Sequence, residues 1–233
     1  MSAMALAACG IGPGASGQSP SAKSPSPSVA TGVAADRKLA ASANLTLADL
    51  STGFAKVDES FSTTTQLSTN AACIKAPATL FTSTARHSRD FSFHLDAKQR
   101  EAGHVTSLVT VGATAGETAQ NFAVISSDAY VSCVATSLND FVAAATAQVL
   151  GTVSVARSTA YPTLTSPSVV YEAQVPFSYS GAQPIEYETD VHVSSGRLTA
   201  HLIADRCCAD SADPTWTKLI QRLSTQLAKA IKQ

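Results

Sequence analysis

The chain is 233 residues long, 45% hydrophobic and 14% charged, with a formal net charge of −1. So near neutrality, it has no global field to draw in nucleic acid or an anionic membrane surface. It has no apolar run of about 18 residues, so no α-helix is expected to span a bilayer. Its length suffices for one domain with a real core once a low-complexity start is set aside.

In chain order, the first signal is Leu6-Ala7-Ala8-Cys9-Gly10, which matches a bacterial lipobox. Small residues precede the cut made by the lipoprotein signal peptidase. The thiol of the new N-terminal Cys9 then carries the lipid, whose acyl (palmitate-type) chains anchor at about 0.8 kcal/mol per buried CH2. Eight residues precede Cys9, and none is Lys or Arg. A signal peptide has a basic start and a longer apolar stretch. Residues 1–9 are therefore read as a truncated lipoprotein signal peptide. Residues 10–40 follow as a tether, rich in Ser, Pro, Gly and Ala at its start, with Ser19-Pro20, Ser24-Pro25 and Ser26-Pro27. Such a composition buries too little apolar surface to order itself. The expected location is the extracytoplasmic face of the cell membrane, with residues 41–233 forming a single domain.

Within that domain, Leu45, Leu47 and Leu50 suggest a strand running into a turn at Gly53. Phe91 and Phe93, a polar loop over 96–102, and Val105, Leu108, Val109 and Val111 suggest an antiparallel hairpin. Thr114-Ala115-Gly116-Glu117 has the form of a capping box. It opens a long helical stretch to about Gln148 with Phe122, Ile125, Ala129, Cys133 and Leu138 on its apolar side, breakable at 126–128 or 139–140. Four strands follow: one from Val153, and three with apolar residues alternating at 169–179, 185–193 and 198–204. That period predicts a meander with one buried face. Asp213 as cap and Pro214 at the first helical position begin a last helix. Its stripe is Trp216, Leu219, Ile220, Leu223, Leu227 and Ile231. The predicted fold class is α+β: an antiparallel sheet meander covered by a long central helix and a C-terminal amphipathic helix.

Besides Cys9 there are Cys73, Cys133, Cys207 and Cys208. An even set outside the membrane suggests two disulfides, with three connectivities open. Cys208 shares the parity of Leu202 and Ala204, so it can reach a helix packed on that face; Cys207 points the other way. The spacing matches neither a redox C-x-x-C nor a zinc pattern.

No Gly-x-Ser-x-Gly elbow, P-loop or dinucleotide fingerprint is present. No catalytic residue and no cofactor is assigned. The best place for chemistry is the polar side of the last hairpin. A turn over Ser194–Arg197 sets Asp190 opposite His201, and Glu188, Asp190, His192, Thr199 and His201 share one face. Asp190, His192 and His201 are the metal-ligand candidates. The competing reading is a solvated sheet face, which strand alternation alone demands. His94 and His104 fall at hairpin ends, and His87 lies in a charged stretch.

The order of these features carries a resemblance: lipobox, tether, LTLADLSTGF at 45–54, two Cys-bearing segments, a meander, YETDVHVSSGRLTAHLIA at 187–204, and a terminal helix with Arg222-Leu223. It resembles actinobacterial, especially mycobacterial, lipoproteins related to the extracellular sensor domain of receptor Ser/Thr protein kinases. The resemblance covers about residues 45–231. It implies an α+β domain with a ligand cleft and two disulfides, and it favours Cys73–Cys133 as one of them. The adjacent Cys207-Cys208 pair departs from the family pattern.

Three functions follow as expectations. The first is a non-enzymatic module taking a small amphiphile, glycolipid or cell-wall fragment in a cleft beside the sheet. The second is an assembly factor docking an envelope protein through an exposed apolar patch of several hundred Å². The third is a metal-dependent hydrolase built on Asp190, His192 and His201.

Overall fold

The computed structural model describes residues 27–50, 53–57, 73–75, 81–94, 101–144, 148–149, 151–159, 161, 164, 166–178, 185–207 and 214–232. Helix α1 (Pro27–Ser42) comes first. It starts inside the stretch expected to be tether, so the folded part begins earlier than residue 41. The reason is non-local. Small residues let the helix lie close on the sheet, with Ala40 buried in it and Ala43 buried just past its end. Asp36 supplies a polar tie, accepting hydrogen bonds from Thr84 Oγ1 (2.6 Å) and Arg197 (2.7 Å). Residues 1–26, with Cys9 and most of the tether, lie outside the described residues.

Leu45–Leu50 does not extend as a strand. It closes into a 3-10 turn over Leu47–Asp49, because the Asp49 carboxylate accepts the Thr46 N–H at 2.6 Å and the Thr46 hydroxyl at 2.7 Å. The strand β1 (Phe54–Val57) begins after Gly53 instead. The predicted hairpin is present as β2 (Ala85–His94) and β3 (Glu101–Val111). It is longer than the Phe91/Phe93 alternation indicated.

Helix α2 (Ala115–Ile125) starts where the capping signal placed it, with Thr114 Oγ1 accepting the Glu117 N–H at 3.1 Å. The helical stretch breaks at 126–127 and resumes as α3 (Asp128–Ala144). The break resets the helical phase. Tyr130, Cys133, Val134 and Leu138 face inward, while Ala129 is exposed. The two-residue β4 (Gln148–Val149) and then β5 (Ser154–Arg157) follow. The long strands are β6 (Ser168–Ser178), β7 (Ile185–Ser195) and β8 (Leu198–Cys207). Helix α4 (Pro214–Ala230) closes the chain. Its expected cap, Asp213, lies outside the described residues.

All pairings are antiparallel, in the order β1-β2-β3-β8-β7-β6, with β4 and β5 on the far side of β6. Two meanders, β1-β2-β3 and β6-β7-β8, are thus joined through β3 and β8. The class is α+β, as the sequence patterning predicted.

The layering differs from the prediction of one buried face. Helices α1 and α4 cover one face, whose core contains Phe91, Val105, Val109, Val191, Val193, Ala200, Leu202, Ile220, Leu223 and Leu227. Helices α2 and α3 cover the opposite face, packing Ile125, Tyr130, Val134 and Leu138 on Tyr171, Ala173 and Val175 of β6. The central strands are therefore buried on both sides. Gly112 permits the approach of α2, since a Cβ there would lie 2.4 Å from Thr118 Oγ1.

Cys73 and Cys133 are disulfide-bonded, with Cα atoms 5.8 Å apart. The parity of Leu202 and Ala204 belongs to the α1/α4 face, so Cys208's expected parity does not lead to the helix bearing Cys133. Cys208 itself and the Cys207 side chain lie outside the described residues.

Candidate functional site

The centre of the α2/α3 side of the sheet is polar, and its register fixes what meets there. A two-residue turn, Gly196-Arg197, joins β7 to β8, with Gly196 in the left-handed region at φ 56°. The turn is anchored twice: Arg197 Nε donates to the Gly112 carbonyl at 2.9 Å, and the same guanidinium pairs with Asp36 at 2.7 Å. Ser195 therefore faces Leu198, and His192 faces His201. The sequence reading set Asp190 opposite His201, from a looser turn. The observed register lies two residues along, which preserves parity. Asp190, His192, Thr199 and His201 consequently still share one face.

That face is not solvated. Asp190 is 4% exposed, His192 1% and His201 7%. Strand alternation places polar residues there, but α2 and α3 cover them. His201 Nε2 lies 3.0 Å from Asp190 Oδ1. The His192 and His201 rings stack, with centroids 4.0 Å apart and planes at 18°. Tyr130 and Tyr171 each set a ring edge-on to His192 at 6.0 Å. The Tyr171 hydroxyl in turn donates to the Ile125 carbonyl at the end of α2.

Burial holds His192 well below the usual histidine range, and the adjacent His201 adds to this. The ring is therefore neutral at pH 7 and keeps a nitrogen lone pair. Two buried nitrogens, His192 Nε2 and His201 Nδ1, have no hydrogen-bond partner. Buried orphans of this kind each cost about 1–3 kcal/mol, so they mark a place where something is incomplete or where another group binds. One candidate ligand atom from each of Asp190, His192 and His201 lies within 4.8 Å of the others.

Beside the two imidazoles is a recess of about 50 Å³ between α2 and the sheet. Phe81, Leu108 and Ile125 give it an apolar side; Thr118, Asn121 and Thr199 give it a polar one. Its size accommodates a few waters or one ion. A cleft for a glycolipid or wall fragment would be several times larger.

No family model matches the chain, and no curated protein matches it. Two of the solved structures that align with it in part are mycobacterial. One is the extracellular domain of PknH from Mycobacterium tuberculosis, at 11% identity and a TM-score of 0.34, covering 65% of this chain and 67% of that one. The other is LpqN, involved in cell envelope biogenesis of Mycobacterium tuberculosis, at 11% identity and a TM-score of 0.32, covering 75% and 77%.

The remaining candidates disperse. His104 is buried 3.6 Å from Asp205, and the side chain of His94 lies outside the described residues. His87 is on the opposite face, where its ring Nδ1 meets Asn44 Nδ2 at 3.0 Å. Burial, then the Arg89 charge, lowers its pKa. Of the residues around the cluster, sequence reasoning missed Tyr130, Thr118 and Asn121. Tyr130 was hidden by the helix break. Thr118 and Asn121 read as the polar side of an amphipathic helix, and only the two-sided burial of β7 and β8 makes that side an inner one.

Proposed function

We propose that the chain is a lipid-anchored module of the cell envelope whose α+β domain binds a ligand rather than converting one. The observation that carries the binding role is the recess beside His192 and His201, where buried nitrogen atoms without partners border a space large enough for a small polar guest. The envelope placement is supported by the Cys73–Cys133 disulfide, a bond that persists in oxidising compartments, and by the lipobox at Cys9. No helix among the described residues is long and apolar enough to cross a membrane.

Conversion is disfavoured by closure. A hydrolase needs its base and its metal-bound water within reach of a substrate. Asp190, His192 and His201 lie instead under α2 and α3. The assembly-factor reading fares less well: among the described residues, Leu39 and Leu47 are the large apolar side chains that are exposed, and they do not make a patch of several hundred Å².

The test is native mass spectrometry of protein purified from its own membrane. A lipid mass on Cys9 together with a co-purifying small ligand, lost on His192→Leu, supports both parts. Protein that partitions to the soluble fraction with Cys9 unmodified refutes the anchor. Guest-free protein that also fails to shift its melting temperature across a panel of ions and small polar molecules refutes the binding role.

A further inference from the structure

We infer that the recess takes a divalent transition-metal ion of the zinc class, held by Asp190, His192 and His201. This rests on reading the recess as a binding site, but not on the envelope placement.

The donor set comes first. Imidazole nitrogen and carboxylate oxygen suit zinc and its first-row neighbours, and they disfavour magnesium and calcium, which take oxygen ligands. His192 and His201 face each other across paired strands, and Asp190 lies two residues along β7 on the same face, so the backbone fixes their spacing. Metal–ligand bonds of about 2.0–2.2 Å put two ligands of one tetrahedral ion about 3.3 Å apart. Asp190 Oδ1 and His201 Nε2 are already 3.0 Å apart. The widest spread among the three donors is 4.8 Å, so that pair must close by about 1.5 Å. Side-chain rotation into the adjoining recess supplies that movement.

The charge comes second. A cation held beneath two helices needs an anionic ligand, and Asp190 supplies one 3.0 Å from His201. The charge of the ion is then offset by Asp190, with Asp90 and Asp205 further out on the same face of the sheet, at positions given by the pairings Asp90↔Thr106↔Ile203↔Asp190 and His104↔Asp205.

The orphans come third. His192 Nε2 is unpartnered in a residue 1% exposed. Protein interiors rarely leave such an atom bare. A surface group would find water; this one has only the recess. The recess also leaves room for the fourth coordination position, filled by one water. The closure that disfavours hydrolysis suits a held ion, since an ion needs only a path and not a substrate groove.

The probe is ZnCl2 or CoCl2 added to the untagged full-length protein after chelation and desalting. The expected result is one equivalent of zinc bound with a sub-micromolar Kd, a melting temperature that rises with zinc, and no response to magnesium or calcium. Cobalt should give visible absorption bands of a four-coordinate site. His192→Leu should weaken zinc at least 100-fold, and Asp190→Asn at least tenfold, with native circular dichroism kept. Should His192→Leu fail to fold, Asp190→Asn, which preserves volume, decides. Absence of zinc uptake at 100-fold excess over protein overturns the inference, as does equal uptake by wild type and Asp190→Asn, which would place the metal on other histidines. An organic guest found by native mass spectrometry without zinc binding would overturn this inference and leave the binding module standing.

Discussion

Under α1 and α4 the sheet presents Val105, Val109, Val191, Val193, Ala200 and Leu202; on their other side the same three strands present Thr106, Leu108, Asp190, His192, His201 and Ile203. Both sets are buried. The apolar face is stable for a simple reason: each fully buried aliphatic side chain contributes about 1.5–3 kcal/mol. The polar face has to satisfy its groups one by one. Thr106 donates to Asp90 at 2.7 Å, and Asp190 pairs with His201 at 3.0 Å. His192 is left incomplete. A protein that needed only a core would fill these positions with Val and Leu, so the polar face is where a functional constraint is to be sought.

The largest effect in this comparison should come from the bond that pins α3 over the polar face. The disulfide spans 60 residues, and closing a loop of that length in the unfolded chain is worth about 4 kcal/mol. Replacing Cys73 and Cys133 by Ser should lower the urea midpoint by a corresponding amount. Reduction of the wild type should reproduce the loss. Next is the apolar face itself. Leu202 and Leu223 are both fully buried, and Leu→Ala at either should cost about 3 kcal/mol in equilibrium unfolding. A cost below about 1 kcal/mol at both would mean that α4 does not dock as described.

Helix α1 provides a smaller test. Its carboxylate at Asp36 is held below the ordinary range by the Thr84 hydroxyl first, and by Arg197 against the opposing effect of burial. Asp36→Ala should cost about 1–2 kcal/mol, since Arg197 is 41% exposed and solvent compensates part of the loss. Wild-type behaviour of Asp36→Ala would return this segment to the tether.

These cases show why some of the molecule was legible in sequence and some was not. Strands β6 to β8 and helix α4 could be read because one side chain in two, or a stripe along a helix, is aliphatic, and burial of those atoms dominates the local energetics. The class of fold followed. Helix α1 could not be read, because its buried residues are Asp36 and Ala40, which carry no apolar stripe. The first half of β2 was hidden likewise. Its Arg89 donates to the Leu45 carbonyl and its Asp90 accepts from Thr106, both partners distant in sequence. For the candidate site, the residues and their shared face were legible from parity, whereas the pairing of His192 with His201 depended on turn geometry. Burial was not legible at all. Alternation identifies two faces; only the covering layer determines whether the polar one meets water.

The smallest effect is the most informative about the polar face, and it concerns His192 in metal-free protein. The ring is neutral in the fold because burial, then His201, depresses its affinity for a proton. In the unfolded chain the same ring has an ordinary pKa of about 6.5. Below that pH the unfolded state binds a proton that the native state refuses, so acid favours unfolding. Above pH 7 neither state is charged at this position, and the contribution is flat. Stability should therefore fall with acidification below about pH 6.5, by up to about 1.4 kcal/mol per pH unit from this residue. His87, also shifted down by burial, adds a shallower slope in the same window. His192→Leu removes the titrating group and the orphan nitrogen together while keeping most of the volume. At pH 7.5, with chelator present, it should leave stability within about 1 kcal/mol of wild type or raise it. At pH 5.5 it should be the more stable of the two. Parallel stability curves for the two proteins between pH 5 and 7 would mean that His192 is charged or solvated in the native state, and that the polar face is open where the fold closes it.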